Sequence, residues 1–401
     1  MAQHSLSPLR RTVVGVQFMF VAFGSTVLVP LLTGLDPAVA LLAAGLGTLL
    51  FHAVTGGKVP IYLGSSFAFI APIIKATELF GLSGMFCGLV SVGLVYMLMS
   101  LLVKTFGIDL IKKLFPPVVI GPVIILIGLS LAGAGVNMAQ ENWVLAIVSL
   151  AVAVAASIWG KGMIKLIPVV FGALAGYVVA LIFFRDTMDF AAVGNASWFA
   201  FPKLAKMSFS WQAILFMAPV AIAPIIEHVG DMYAIGSIAG KDFVKDPGLH
   251  RTMLGDGLSC VLAAFLGGAP ITTYSEVTGA VSLTKVTDPS VLRIAAVSAV
   301  VLSVIGKVGA VIQTIPSAVL GGIMLLLFGS IASVGISNMI QAKIDMGSTR
   351  NLIIVSLILT IGIGGAIISV GSFTLSGIGL ASLVGVILNL VLPEDKKEAA
   401  E

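Results

Sequence analysis

The sequence predicts an all-α polytopic membrane protein with fourteen transmembrane segments, arranged as two inverted repeats of seven. Three observations support this fold class: the composition, the spacing of the apolar segments and a gapless internal repeat. The 401 residues are 58% apolar and 10% charged. A soluble chain has about a quarter of its residues charged. We therefore expect this chain to be solvated mostly by lipid.

Fourteen apolar segments approach the length of about 20 residues that a membrane-spanning helix needs. Their centres lie near residues 22, 45, 68, 92, 127, 150, 174, 218, 259, 276, 300, 327, 360 and 384. The first stretch, Thr12 to Leu32, is long enough to span and is interpreted as a true helix rather than a cleaved signal peptide.

The distribution of basic residues predicts the orientation of the chain. With the N-terminus inside, seventeen of the 22 lysines and arginines fall at the termini or in cytoplasmic loops. This positive-inside bias predicts an even number of spans with both termini in the cytoplasm. The net charge of +4 is small and fits an inner-leaflet bias better than nucleic-acid binding.

An internal repeat relates the fifth and twelfth segments. "FPPVVIGPVIILIGLSLAGAGV" starts at Phe115, and "IPSAVLGGIMLLLFGSIASVGI" starts at Ile315, an offset of 200 residues. The identical pairs are Pro116/Pro316, Val119/Val319, Gly121/Gly321, Leu126/Leu326, Ser130/Ser330, Ala132/Ala332 and Gly135/Gly335. Because seven segments form one unit and seven is odd, the two halves are expected to insert with opposite topology.

The third and tenth segments are poor helices in matching positions of the two repeats. They are "YLGSSFAFIAP" (Tyr62 to Pro72) and "GAPITTYSEVTG" (Gly268 to Gly279). We expect each to hold a short extended strand, "SSFAF" and "TTYSE", followed by a half-helix whose N-terminal N–H groups can meet ligand oxygens. Such a broken pair indicates the binding site of a transporter. The alternative is two kinked helices, which would not explain why the carboxylate of Glu276 lies in a membrane segment.

Embedded carboxylates are expensive in lipid and are functional by default. The candidates are Glu227 and Glu276, with Asp231 four residues after Glu227 on the same helical face, and Asp256 in "LGDGLSC". Such groups can accept hydrogen bonds from ligand N–H donors and can carry a proton. For each, the alternative is a structural hydrogen bond between helices. His228 points away from Glu227 and is interpreted as a packed or interfacial histidine.

No catalytic constellation is present in the sequence. The four histidines are scattered, the two cysteines are isolated, and "EHVGD" is not a zinc-protease motif. There is no nucleophile elbow and no phosphate-binding Walker loop. We therefore predict no enzyme activity, no metal site and no cofactor.

These segments together resemble the nucleobase–ascorbate transporter family, also called nucleobase:cation symporter-2, and within it the bacterial uracil carriers. The similar stretches cover nearly the whole chain and include "FGSTVLVPLL", "GKVPIYLGSSFAFIAP", "LFPPVVIGPVI", "EHVGD", "KDPGLHRTM" and "TTYSEVTGAVSLTK". The most specific are "YLGSSFAFIAP" and "DPGLHR".

The resemblance implies a core domain of segments 1–4 and 8–11, residues 12–104 and 211–310. A gate domain of segments 5–7 and 12–14 covers residues 114–185 and 314–392. The core is expected to move against the gate like an elevator, in a homodimer, and to import a nucleobase with a proton. The implied substrate-binding residues are Glu227, Glu276, Phe67 (through its backbone N–H), Ser275, Tyr274, Ser66 and Phe328. The implied proton-coupling residues are Asp231, Glu227 and Asp256.

Uracil is the expected base because glutamate occupies position 276, where xanthine and urate carriers of the family usually have glutamine. Asp231 and Asp256 are common among purine carriers, so a xanthine or purine carrier remains open. Asp231 stands where the uracil carriers have histidine, and Phe328 stands where they have tyrosine. A second alternative is an anion exchanger of the related sulfate-carrier architecture, which the acidic rather than cationic site disfavours.

Overall fold

The computed structural model describes residues 7–107, 109–161, 163–202, 204–370 and 373–393. These residues form a helical protein with two small antiparallel sheets of two strands each. The helices of the first half are α1 Pro8–Thr33, α2 Pro37–Val54, α3 Ile70–Phe106, α4 Asp109–Leu114, α5 Pro117–Ser130, α6 Ala132–Gln140, α7 Trp143–Trp159, α8 Met163–Leu166, α9 Pro168–Phe183 and α10 Ala191–Asn195.

The second half is also mostly helical, and it contains three of the four strands of the described residues. Its helices are α11 Trp211–Met217, α12 Ile222–Ala239, α13 Leu249–Leu266, α14 Ser275–Thr284, α15 Pro289–Ser303, α16 Gly306–Gln313, α17 Ser317–Gln341, α18 Thr349–Ile363 and α19 Gly377–Val391. The strands are β1 Leu63–Ser65, β2 Ile271–Thr273, β3 Ile367–Val370 and β4 Phe373–Ser376.

Helices α2 and α15 begin at capping signals that are visible in the sequence. Asp36 accepts the Ala38 N–H at 2.8 Å, and a proline follows it at the first position of α2. Asp288 caps α15 in the same way through the Ser290 N–H at 2.9 Å. An acidic cap followed by proline starts a helix because it satisfies a free N–H and presets the backbone.

Among the described residues, six continuous helical stretches are long and apolar enough to cross a membrane, which agrees with a multi-pass membrane protein. They are Pro8–Thr33, Pro37–Val54, Phe67–Phe106, Pro117–Gln140, Trp211–Ala239 and Ser317–Gln341. Each of the fourteen predicted segment centres falls inside a helical element. Five further apolar helices are shorter than a full span, so the count of fourteen stays a prediction.

The two short strands β1 and β2 bring the broken segments of the two halves together. They pair antiparallel, with Leu63 opposite Thr273 and Ser65 opposite Ile271, and all of their residues are buried. The extended residues begin earlier than predicted, because Phe67–Phe69 already forms a 3-10 turn that leads into α3. Antiparallel pairing satisfies backbone groups that would otherwise be unpaired at membrane depth.

A second hairpin, β3 paired with β4, was not predicted. Ile367 lies opposite Ser376, and Val370 lies opposite Phe373. The predicted fold class named strands in the third and tenth segments and made no prediction for this hairpin. The local sequence explains the hairpin: Gly364 ends α18, Gly365 has a positive φ of 65°, and the following β-branched residues favour extended backbone.

Helices α5 and α17, which carry the sequence repeat, cross at glycines. A side chain on Gly121 would collide with Met339, 2.2 Å away, and one on Gly321 would collide with the Ala139 backbone nitrogen, 2.3 Å away. The repeat offset of 200 relates the two contacts, because Gly321 is the counterpart of Gly121 and Ala139 is the counterpart of Met339. The repeat therefore appears in the packing as well as in the sequence.

The buried centre around the strands is formed by α2, α3, α13 and α15. Gly93 on α3 lies against the Gly257 carbonyl of α13, and Gly45 on α2 lies against the Ala296 carbonyl of α15. Glycine at these positions lets helix backbones approach closely, which is how helices associate in lipid. Helix α12 begins beside this bundle and carries two of the predicted acids.

Candidate functional site

A cavity of about 370 Å³ lies where the two broken segments meet α5, α12 and α17. This volume falls within the range of about 300–1,000 Å³ that small-molecule sites occupy. The lining residues are Ser66, Phe67, Ile124, Ile127, Glu227, Gly230, Asp231, Ala234, Thr272, Thr273, Tyr274, Glu276, Thr278, Ser330, Ile331, Val334, Ser337, Asn338 and Gln341.

Three of the four predicted acids line this cavity. Glu227 and Asp231 come from α12, and Glu276 comes from the first turn of α14. Glu227 and Glu276 are half-buried, whereas Asp231 is 5% exposed. Within the described chain, no group of histidine, cysteine, aspartate or glutamate side chains could hold a metal ion. Carboxylate oxygens in this wall suit a ligand that carries N–H donors.

Two helix starts point into the same region. Helix α14 starts after Tyr274, and no side chain caps it. The 3-10 turn at Phe67 starts after Ser66, again without a side-chain cap, and α3 continues from it. Uncapped N-termini leave backbone N–H groups and a partial positive charge, which suit the oxygen atoms of a ligand. Both helix starts and the three acids therefore border the same cavity.

The remaining predicted contact residues differ in their placement. Ser66, Phe67 and Tyr274 line the cavity, and the Ser66 hydroxyl is buried with no hydrogen-bond partner among the described residues. Phe328 does not line the cavity: it is 1% exposed and packs edge-on behind Phe67, with ring centroids 5.7 Å apart. The side chain of Ser275 lies outside the described residues.

Tyr274 is held in place from the far side of the cavity. Its hydroxyl oxygen accepts a hydrogen bond from the Ser25 N–H of α1 at 3.0 Å. Gly64 of β1 lies between them, because a side chain there would meet the Ser25 hydroxyl at 3.3 Å and the Tyr274 ring at 3.4 Å. The three elements therefore fix the tyrosine ring at the cavity wall.

Asp256 lies behind the cavity rather than in it. Its Oδ2 atom accepts hydrogen bonds from the Thr272 hydroxyl at 3.0 Å and from the Thr273 N–H at 3.2 Å. His228 Nδ1 lies 2.8 Å from the same oxygen, and both side chains are fully buried. The Thr273 hydroxyl donates to Asp231 Oδ2 at 2.9 Å. Strand β2 therefore links the buried pair to an acid of the cavity.

Sequence reasoning missed two sets of residues at this site. The first is Thr272 and Thr273, which fall in the predicted strand but were given no role. The second is a polar face on α17 made by Ser330, Ser337, Asn338 and Gln341, all of which line the cavity. Their spacing of seven, eight and eleven residues from Ser330 is that of one helical face, and this signal could have identified them.

Broken helices that meet at a polar cavity inside a multi-pass membrane fold define a membrane transporter. Comparison with known proteins agrees with this class. Residues 10–371 match a family model described as "Permease family". The chain belongs to this family, the nucleobase:cation symporter-2 family, and is a transporter rather than an enzyme.

Two bacterial relatives resemble the chain along almost its whole length. A "Probable uracil permease" of Haemophilus influenzae is 49% identical over 401 residues, covering 98% of this chain and 96% of the relative. A "Uracil permease" of Bacillus caldolyticus is 44% identical over 402 residues, covering 96% and 92%.

A solved structure shares the fold at low sequence identity. The overall structure of SLC26A9 aligns with a TM-score of 0.72 and 13% identity, covering 96% of this chain and 65% of that one. At this identity the likeness concerns the fold alone.

Proposed function

We propose that the chain is a secondary active transporter that imports a nucleobase, uracil in the first place, by proton symport. The observation that carries this proposal is the cavity itself, in which Glu227, Glu276 and Asp231 face two uncapped helix starts. A uracil ring alternates N–H donors with carbonyl acceptors around one edge. Carboxylates and backbone N–H groups complement that alternation.

In the proposed complex, the ring N–H groups donate to Glu227 and Glu276. The ring carbonyls accept from backbone N–H groups at Phe67 and Ser275. Ser66 and Tyr274 border the ring, while Phe328 acts through Phe67, against which it packs. The printed names of the relatives from H. influenzae and B. caldolyticus support a uracil substrate.

The proposed movement is an elevator-like displacement of a core domain, residues 12–104 and 211–310, against a gate domain, residues 114–185 and 314–392. Fourteen segments in two inverted repeats, with the third and tenth broken by strands, underlie this division. The contacts of Gly121 with Met339 and of Gly321 with Ala139 are equivalent under the repeat, which supports the inverted arrangement. The cavity suits this movement, because α5 and α17 line it from the gate and the other elements from the core.

We place the protein in a bacterial inner membrane as a homodimer, with both termini in the cytoplasm. The distribution of lysine and arginine supports the orientation, and resemblance to the family supports the dimer. Proton coupling is assigned to Asp231, Glu227 and Asp256. The hydrogen bonds that join Asp256 and Asp231 through Thr273 support a shared role for these two acids.

The two alternative substrate classes differ in their support. Asp231 at the cavity favours a xanthine or purine carrier of the same family. Anion exchange is disfavoured, because an anion would face three carboxylates at the cavity.

One competition panel tests these assignments. Proteoliposomes containing the purified protein take up labelled uracil in the presence of excess unlabelled uracil, thymine, xanthine, urate or sulfate. We expect unlabelled uracil to compete far better than xanthine, and sulfate not to compete. Stronger competition by xanthine would move the protein to the purine carriers, and absence of uracil uptake together with sulfate exchange would overturn the proposal.

A further inference from the structure

His228 and Asp256 form a buried hydrogen-bonded pair that the proposed binding of the base does not use. Neither side chain lines the cavity, and both are 0% exposed. The imidazole Nδ1 lies 2.8 Å from Asp256 Oδ2, and the other ring nitrogen, Nε2, lies 2.9 Å from the Thr252 hydroxyl oxygen. Both ring nitrogens therefore have a polar partner, and the protons on them follow from what those partners can give or accept.

The Thr252 hydroxyl stands between two possible acceptors. Its oxygen lies 3.0 Å from the Leu249 carbonyl oxygen and 2.9 Å from His228 Nε2. A hydroxyl has one proton to donate, and a carbonyl oxygen can only accept. When Thr252 donates to Leu249, Nε2 must carry a proton and donate to Thr252. When Thr252 donates to Nε2, that nitrogen must be unprotonated.

The Asp256 side of the ring is the same in both arrangements. Oδ2 already accepts from the Thr272 hydroxyl and the Thr273 N–H, so it acts as a carboxylate acceptor and Nδ1 carries the proton that faces it. The two arrangements thus differ by one proton on Nε2 and by the direction of one hydroxyl. The pair has a net charge of −1 without this proton and zero with it.

We propose that His228 Nε2 is a proton-binding site, with Asp256 as the counter-ion and Thr252 as a partner that turns its O–H when the proton arrives. This inference rests on the proposed proton symport and identifies the proton carried with the base as the one bound here. No heavy atom has to move for the site to fill. Loading forms an N–H bond at Nε2, and unloading breaks it.

The charge of the pair depends on the groups around it. The titratable groups around the pair are Tyr96 from α3, Glu227 and Asp231 from α12, and Cys260 from α13. Among the ion pairs of the described residues, none sets a lysine or arginine against Asp256. An uncompensated negative charge is costly in such a dry site, and the Asp256 Oδ1 atom has no hydrogen-bond partner in the described part. Protonation of His228 neutralises the pair.

Strand β2 connects the proton site to the cavity through hydrogen bonds. Thr273 donates its N–H to Asp256 and its hydroxyl to Asp231, and the same hydroxyl lies 3.5 Å from His228 Nδ1. Thr272 and Thr273 also line the cavity. Filling the proton site therefore changes the charge directly behind the wall that contacts the base. By linkage, a proton that strengthens base binding is itself bound more tightly when the base is present.

The first test measures transport in proteoliposomes for His228→Gln, Thr252→Val and the matched control Thr252→Ser, which keeps the hydroxyl. One-proton symport with an inward gradient of about one pH unit can sustain about tenfold accumulation of uracil. We expect this accumulation in the wild type and in Thr252→Ser. In His228→Gln and Thr252→Val the accumulation ratio should fall to one, while exchange of labelled for unlabelled uracil at equal pH continues. Full accumulation by both variants would overturn the inference.

The second test does not depend on any substrate. Nitrogen NMR of isotope-labelled histidine follows the imidazole rings of the purified protein across its stable pH range, and the His228→Gln variant assigns the signal. We expect Nε2 of His228 to lose its proton on raising the pH while Nδ1 keeps its own. A ring that stays in one protonation state throughout would overturn the proton site. A wild type that shows this titration but binds no uracil would instead overturn the proposed substrate.

Discussion

The hydroxyl oxygen of Tyr274 accepts a hydrogen bond from the backbone N–H of Ser25 at 3.0 Å, across 249 residues of sequence. This bond ties the start of α14 to the middle of α1 and is fully buried. It explains the tyrosine two residues before the second cavity acid: its ring borders the cavity, and its hydroxyl fixes the strand and helix that position Glu276.

Tyr274→Phe should therefore destabilise the protein by about 1–3 kcal/mol, because the variant leaves a buried polar group without its partner. Thermal unfolding of the purified protein in detergent measures the effect. Tyr233→Phe is the matched control, since Tyr233 lies on α12 with 47% of its surface exposed. Equal melting temperatures for the two variants would show that the Ser25 bond contributes no stability.

Glu276→Gln tests the acid that begins α14. If the carboxylate accepts a ring N–H of the base, exchanging it for an amide removes a charge-assisted hydrogen bond worth about 1.5–3 kcal/mol. Uracil binding should weaken about tenfold to a hundredfold. Equilibrium binding of labelled uracil to the purified variant measures this loss. Glu78→Gln is the control, because Glu78 is an exposed partner of Lys75. Unchanged affinity in Glu276→Gln would remove Glu276 from the binding site.

The crossing of α6 and α17 predicts a stability effect outside the acidic part of the cavity. A side chain at Gly321 would lie 2.3 Å from the Ala139 backbone nitrogen, which cannot rotate away. Gly321→Val should therefore lower the free energy of unfolding by at least about 1–3 kcal/mol, the range typical of overpacking. Thermal unfolding of the purified protein measures this change. Gly133→Ala on α6 is the control, since nothing lies within 4 Å of the added carbon there. Equal stability of both variants would contradict the close helix crossing.

The chemistry of the site could be predicted from the sequence because intramembrane acids and helix breakers are locally visible. Glu227, Glu276 and Asp231 were identified as embedded carboxylates, and all three line the cavity. The two broken segments were recognised from their glycine, serine and proline content. Charged side chains and broken helices are unfavourable in lipid whatever the tertiary structure, so they can be recognised without knowing it.

The partners of these residues could not be predicted, because they depend on how separate helices face each other. His228 was interpreted as packed or interfacial; it is fully packed, and its partner Asp256 lies 28 residues away on another helix. Phe328 was expected at the substrate, yet it lies behind Phe67. Residue type and helical spacing fix which face a side chain occupies on its own helix. They do not fix what that face meets.

Asp231→Asn tests the acid that joins the cavity to the buried pair. Asp231 accepts the Thr273 hydroxyl at 2.9 Å, and an asparagine oxygen can accept the same bond, so the local structure should survive. The variant should bind uracil, because Glu227 and Glu276 remain. It should lose accumulation driven by an inward proton gradient, since the variant removes the cavity charge that Thr273 connects to the buried proton site, while it still exchanges labelled for unlabelled uracil. Binding, exchange and gradient-driven uptake are measured on one reconstituted preparation, with Asp242→Asn on the exposed surface as the control. An unstable variant that is poor in all three assays would indicate a purely structural role. Normal proton-driven accumulation would remove Asp231 from the coupling mechanism.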